Sequence, residues 1–406
     1  MRKKTILAII ASLIVIAVTA SVMMLDPALM MNGNEDDTDT EDSDDSGDGS
    51  DTNDTDENDN DTDDSDVTEI VLGDTIMVDG SAITTDTSSS VYESEGDGYT
   101  LINICDAGTY SISGVGDEVQ IYVNATDDDE VTLILNGAEI SCSSAPAIFV
   151  HNAYDPETAG EAGVTIELAA GTTNIIDASH TDANDGAISS DISIAFDGSG
   201  TLQITADMEG IESCMHLTIN DGTIVVTSDE DGINANNDGI SYITINGGTV
   251  IADSSAGSDG DGIDSNGYII INGGTVYGFS SGQNSGLDSD LGTVINGGTV
   301  FATGTMNDGV SSSSDQTYIN FDLASALTKG KLVYITDSDG NCVFAFRSLG
   351  SYTSFIYSSS DLSSGSTCKV YLGGSVEGTF DEYGACSSFT VTTAGTLQTS
   401  GSNTKP

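Results

Sequence analysis

The sequence predicts an all-β fold: a three-sided parallel β-helix closed at its C-terminal end by a small β cap. Three observations predict it. An acidic or serine residue followed by glycine recurs at 185, 209, 231, 261, 285 and 308. A second phrase recurs independently as FDGSGTLQI from Phe196, INDGTIVV from Ile219, INGGTVIA from Ile245, INGGTVYG from Ile271 and INGGTVFA from Ile295. Both frames keep the same order at intervals of about 22 to 30 residues, which marks a solenoid of stacked supersecondary units. Third, no stretch shows a helical period, and short alternating strands are separated by Gly, Asn and Asp turns.

The elements follow in chain order. Residues 1–30 hold MRKK and an uncharged run from Ile6 to Leu25, a membrane anchor or secretory signal that leaves the remainder exported. Residues 31–66 form an acidic, low-complexity linker with almost nothing apolar to bury, which predicts an extended, disordered stalk. Asn53, Asn60 and Asn124 begin glycosylation sequons. Residues 67–320 are assigned to the β-helix, with regular coils expected from about residue 100 and residues 67–99 covering the open end. VTLILNGAEISC and GVTIELAAGTTNII read as degenerate coils. Residues 321–396, with KLVYITDSDGNCVFAF, SFIY, TCKVYLGG and SFTVTT, are the β cap, and 397–406 a disordered tail.

Alternation fixes which side chains face inward. Leu217/Ile219, Ile243/Ile245, Ile269/Ile271 and Thr293/Ile295 form inward pairs, and Ile224, Val250, Val276 and Val300 form a further inward column. The six cysteines contain no Cys-x-x-Cys pair, so neither a zinc ribbon nor a thioredoxin-type motif is predicted, although export permits disulfides, above all among Cys342, Cys368 and Cys386.

The chain carries 66 acidic against 8 basic residues, with no Lys or Arg between Lys4 and Lys329. Direct nucleic-acid binding is excluded, because its affinity rests on Lys and Arg neutralising phosphates. Stacking turns the repeat into columns of side chains about 4.8 Å apart. One acidic column runs Glu209, Asp231, Asp261, Ser285 and Asp308, and a second, three residues later, runs Glu212, Asn234, Asp264 and Asp288. Two carboxylates at that separation repel by about 3.5 kcal/mol at an effective dielectric near 20. A hard cation relieves this, and Ca²⁺, which takes six to eight oxygens, suits neighbouring coils. The predicted metal residues are Glu209, Asp231, Asn234, Asp259, Asp261, Asp264, Asp288 and Asp308. Outward aromatic registers, His216/Tyr242/Tyr268 and Tyr277/Phe301, are the candidate sugar-stacking columns.

The DGI[DN]…ITINGGTV…DGIDSNG…INGGTV series, the ITDSDGN hairpin and the VYLGGSV and FTV strands resemble the carbohydrate-binding parallel β-helix proteins related to pectate lyases. The resemblance covers roughly residues 70–395. It implies a right-handed β-helix that binds calcium and an acidic or cellulosic polysaccharide such as polygalacturonate or cellulose. On that basis the chain is expected to be an extracellular, surface-anchored, monomeric binding protein that touches the membrane only through its N-terminal segment. Catalysis is less favoured: the related lyases use a Lys or Arg base, and this β-helix has neither, leaving His151, His180 and His216. A lyase or hydrolase, and a calcium-stiffened adhesin, remain the alternatives.

Overall fold

A computed structural model describes residues 67–398 and 402–404, apart from 157, 181–183, 258–259, 281, 306–308 and 366. The N-terminal apolar run, the acidic linker, the sequons at Asn53 and Asn60, and the predicted ligands Asp259 and Asp308 lie outside the described residues. Among the described residues no helix is long and apolar enough to cross a membrane.

The described chain is strand and turn throughout, wound as a parallel β-solenoid. One coil contributes Glu209–Ser213 to a first face, Leu217–Ile219 to a second and Thr223–Ser228 to a third. The next coil begins at Ile233–Ala235, and each strand pairs in parallel with its successor. The first face is a nine-stranded sheet from Val91–Glu95 to Leu287–Ser289.

The inward columns stack as alternation requires. Leu217, Ile243, Ile269 and Thr293 are aligned rung on rung, as are Ile224, Val250, Val276 and Val300, and all are fully buried. Each aliphatic side chain so buried contributes about 1.5–3 kcal/mol of transfer free energy. Thr293 satisfies its hydroxyl against Ser289 Oγ at 3.0 Å, which lets a polar residue occupy an apolar ladder.

The repeated turns have mechanical causes. A Cβ on Gly210, Gly232 or Gly262 would stand 2.5, 2.5 or 2.6 Å from the carbonyl oxygen of the corresponding glycine one coil on. The Asp-Gly glycines are therefore demanded by the close approach of successive coils. In NGGTV, the second glycine takes φ of 74° at Gly248, 79° at Gly274 and 83° at Gly298, a left-handed conformation open to glycine. The preceding asparagines form a ladder: Asn246 Nδ2 donates to Asn220 Oδ1, Asn272 to Asn246 and Asn296 to Asn272, each at 2.9 Å.

At the N-terminal end the structure differs from the expected cover. Val67–Leu72 is itself a solenoid strand, paired in parallel with Gly108–Asp117 and burying Ile70 and Leu72. Val91–Glu95 then closes the first face by pairing antiparallel with Thr100–Ile104. The alternation in VTEIVL carries the reason, since it presents one apolar side to the core.

At the C-terminal end, Tyr352–Ser358 adds antiparallel to the last third-face strand, Thr299–Gly304, and to Tyr318–Leu327. A five-stranded sheet built around Leu332–Thr336 and Cys342–Arg347 completes the cap. Ser402–Thr404 pairs with Tyr318–Leu327, so the terminal segment is not wholly unstructured. Cys105, Cys142, Cys214, Cys342 and Cys386 form no disulfide in this structure.

Candidate functional site

Each coil enters the first face through the acidic turn, and alternation then decides which side chains leave the core. Ile211, Ile233, Ile263 and Leu287 point inward and are fully buried. Three residues after Glu209, Asp231, Asp261 and Ser285, the side chains of Glu212, Asn234, Asp264 and Asp288 point outward and align directly, rung on rung. The turn acids stack too: the amides of Gly210, Gly232 and Gly262 donate at 2.9 Å to the carbonyls of Asp231, Asp261 and Ser285. The Glu209 amide donates to the Asp185 carbonyl at 3.2 Å, placing Asp185 at the head of the column.

The two columns converge in two carboxylate clusters. Asp185, Glu209 and Glu212 each bring one oxygen within 4.8 Å of the others, and Asp261, Asp264 and Asp288 do the same. Asp231 and Asn234 lie between. Asp231 Oδ1 accepts the Asp261 amide at 2.7 Å, and Asp261 Oδ1 accepts the Ser285 amide. Asp185 and Glu212 are absent from the predicted ligand set, although both stand on the repeated turn and outward columns.

The electrostatics of these clusters are unfavourable as they stand. Burial, then the neighbouring Asp231 charge, pushes the Glu209 carboxyl up to about 9. Burial pushes Asp264 up to about 8, with Asp231, Asp261 and Asp288 adding to it, and Asp231 up to about 6. Glu212 is raised by burial, while Ser189 Oγ and Asn236 Nδ2 donate to its two oxygens at 2.8 and 2.7 Å.

Two buried atoms give a separate indication. Glu209 and Asn234 are only 8% and 7% exposed, and Asn234 Nδ2 donates to Glu209 Oε1 at 2.8 Å. Yet Glu209 Oε2 and Asn234 Oδ1 have no hydrogen-bond partner among the described residues. A buried acceptor left unmet costs about 1–3 kcal/mol, more when charged. These are oxygen acceptors only, with neither imidazole nor thiolate in either cluster, so the donor chemistry fits a hard cation of the calcium or magnesium class.

The predicted aromatic columns fare differently. Tyr242 and Tyr268 stack with ring centroids 5.2 Å apart and are half-buried. His216 continues that ladder at 5.6 Å but is 3% exposed, and its Nδ1 accepts the Tyr242 amide. Tyr277 and Phe301, expected on an open flank, are 8% and 2% exposed. The cap folds over this register: Phe301 packs on Phe346 at 4.6 Å and Phe344 at 5.1 Å, in a cluster that includes Ile251, Phe355 and Tyr357. Outward-facing on the solenoid is not solvent-facing here, and Phe301 presents no face for sugar stacking. Tyr277 keeps an edge on a cleft of about 620 Å³ shared with Thr275, Asp361 and Asp381. Burial and then Asp381 push its phenol up to about 12.

An aromatic group that sequence reasoning missed lies on the first face, N-terminal to the carboxylates. Tyr122 and Phe149 occupy the same outward register, with centroids 5.6 Å apart, and His151 lies 5.9 Å from each. His151 Nδ1 is tied to Asp191 Oδ2 at 2.7 Å. Alternation in VQIYVN and IFVHN was the available signal, hidden because these coils depart from the repeated phrase.

Among curated proteins no significant sequence match is found. In structure the chain is similar to the polysaccharide lyase-like protein from C. thermocellum, determined as a gadolinium derivative, at 24% identity and a TM-score of 0.39, covering 57% of this chain and 93% of that one. The family model for carbohydrate-binding domain-containing proteins matches residues 97–341, from the first parallel strand of the first face into the cap and across more than half of the sequence, and the chain belongs to that family.

Proposed function

We propose that this protein is a calcium-dependent, non-catalytic polysaccharide-binding module, exported and held at the cell surface by its N-terminal segment. The observation that carries the reading is the convergence of two carboxylate trios on one solenoid face, beside buried oxygens of Glu209 and Asn234 that lack partners. A cation there neutralises charges that no Lys or Arg between Lys4 and Lys329 can offset. Calcium held in such a row offers open coordination positions to hydroxyl or carboxylate oxygens of a polymer, which suits polygalacturonate, with cellulose as the neutral alternative.

Equilibrium binding of the full chain to both polymers, in calcium and then in chelator, tests this. Retention that requires calcium supports the module. Calcium binding without retention on either polymer would assign the metal to stiffening the solenoid.

The exposed His151–Asp191 pair favours a second reading, β-elimination with the imidazole as base. Release of unsaturated uronate, followed by ultraviolet absorbance, decides it: sustained product formation would replace the non-catalytic reading.

A further inference from the structure

The first face continues beyond the carboxylates. Its outward register runs Tyr122, Phe149, Ser189, Glu212, Asn234, Asp264 and Asp288, paired in sequence along parallel strands. Six intervals of about 4.8 Å make this a straight array about 29 Å long. One end is aromatic and the other acidic. We propose that Tyr122, Phe149 and His151 form a stacking subsite for sugar rings of a polysaccharide lying along the solenoid axis, whose other end meets the cation-binding carboxylates. This rests on the functional reading above and adds to it a location and a chain direction.

The geometry supports a sugar ring as the occupant. Ile121, Val123, Ile148 and Val150 fill the core on these strands, so the intervening Tyr122 and Phe149 must stand outward. The three ring centroids form a nearly equilateral triangle of 5.6, 5.9 and 5.9 Å on the scale of one or two sugar rings, with half-buried Phe149 tilted 48° to Tyr122 and 46° to His151, so that the group is a shallow, angled cradle. His151 is parallel to Tyr122 within 14°, and its side chain is 49% exposed. The bond to Asp191 fixes the imidazole, so the platform costs little ordering entropy on binding.

Aromatic faces beside a carboxylate and an imidazole match the two sides of a pyranose: C–H groups pack on the rings, and hydroxyls hydrogen-bond at the edge. The next positions on the register are Ser189 and Glu212, so the apolar patch is short and passes into polar groups. That pattern suits an extended, hydroxylated chain; a protein helix would need a longer apolar groove.

The test compares the full chain with Tyr122→Ala/Phe149→Ala, His151→Ala and the ring-retaining Tyr122→Phe, measuring affinity for polygalacturonate and cellulose in calcium. Calcium affinity, followed by titration calorimetry, is read in parallel. The double variant is expected to lose at least about tenfold in polymer affinity with calcium affinity unchanged. His151→Ala should lose about threefold or more, and Tyr122→Phe, which keeps the ring, should lose less than the double variant. Should the double variant fail to fold, the exposed His151→Ala carries the test alone. Unchanged polymer affinity in the alanine variants, with the wild type binding, would overturn the subsite and leave the calcium reading standing. A wild type that binds neither polymer would overturn both.

Discussion

Replacing Glu209 with Gln should stabilise the metal-free protein at neutral pH and abolish part of its response to calcium. Glu209 is buried, and its carboxyl stands at about 9 in the fold against 4.5 for an ordinary glutamate. Between those values the folded chain keeps a proton that the unfolded chain has released. Stability from this group is therefore complete below about pH 4.5 and is lost as pH rises towards about 9. At pH 7 the loss is about 2.5 pH units at 1.36 kcal/mol each, or about 3 kcal/mol. Glutamine does not titrate, and it keeps an oxygen for Asn234 Nδ2 while removing the charge shared with the unmet Glu209 Oε2. In chelator at pH 7, Glu209→Gln should melt about 6 °C above wild type, taking about 2 °C per kcal/mol for a domain of this size. At pH 4 the two should coincide. Calcium should raise the wild-type midpoint more than the variant's. Calorimetric melting from pH 4 to 9, with and without calcium, reads all three. A variant less stable than wild type at pH 7 in chelator, or equally responsive to calcium, would mean that the buried Glu209 carboxylate neither burdens the metal-free fold nor meets the cation.

Asp264→Asn removes a carboxylate from the second trio, one that burial holds at about 8; calcium affinity should fall at least about tenfold by titration calorimetry while the metal-free midpoint rises. Gly262→Ala places a Cβ 2.6 Å from the Gly286 carbonyl, and backbone cannot yield as a side-chain tip can. It should destabilise by about 3 kcal/mol or more, whereas alanine at Gly239, whose Cβ would meet nothing within 4 Å, should cost about 1 kcal/mol through its positive φ. Phe301→Ala, beneath the cap, should cost about 3–5 kcal/mol of unfolding free energy, read by denaturant titration, and leave calcium affinity unchanged.

The solenoid was legible because each coil meets the same constraints, so Asp-Gly turns, asparagine ladders and alternating Ile and Val recur in the sequence itself. Glu212, Asn234, Asp264 and Asp288 could be placed on one register from that periodicity alone, and the pairings put them there. Asp185 was harder to place in a carboxylate cluster because its convergence with Glu209 and Glu212 depends on how adjacent turns bend, which spacing does not encode. Tyr277 and Phe301 show the opposite difficulty. Periodicity tells outward from inward relative to one coil, but the cover over them comes from residues 319–385, far along the chain and with no repeat to align. The Tyr122 and Phe149 platform sits on coils whose turns lack the repeated phrase, so its register emerged only from strand pairing.

Binding of polysaccharide by the first face is proposed to run through calcium held by its carboxylate columns. The most direct test is an equilibrium pull-down of the full chain on polygalacturonate and cellulose, wild type beside Asp261→Ala/Asp264→Ala, in calcium and in chelator. Retention of the wild type in calcium alone, and of the double variant in neither condition, is expected. Retention that survives both chelator and the double substitution would contradict it.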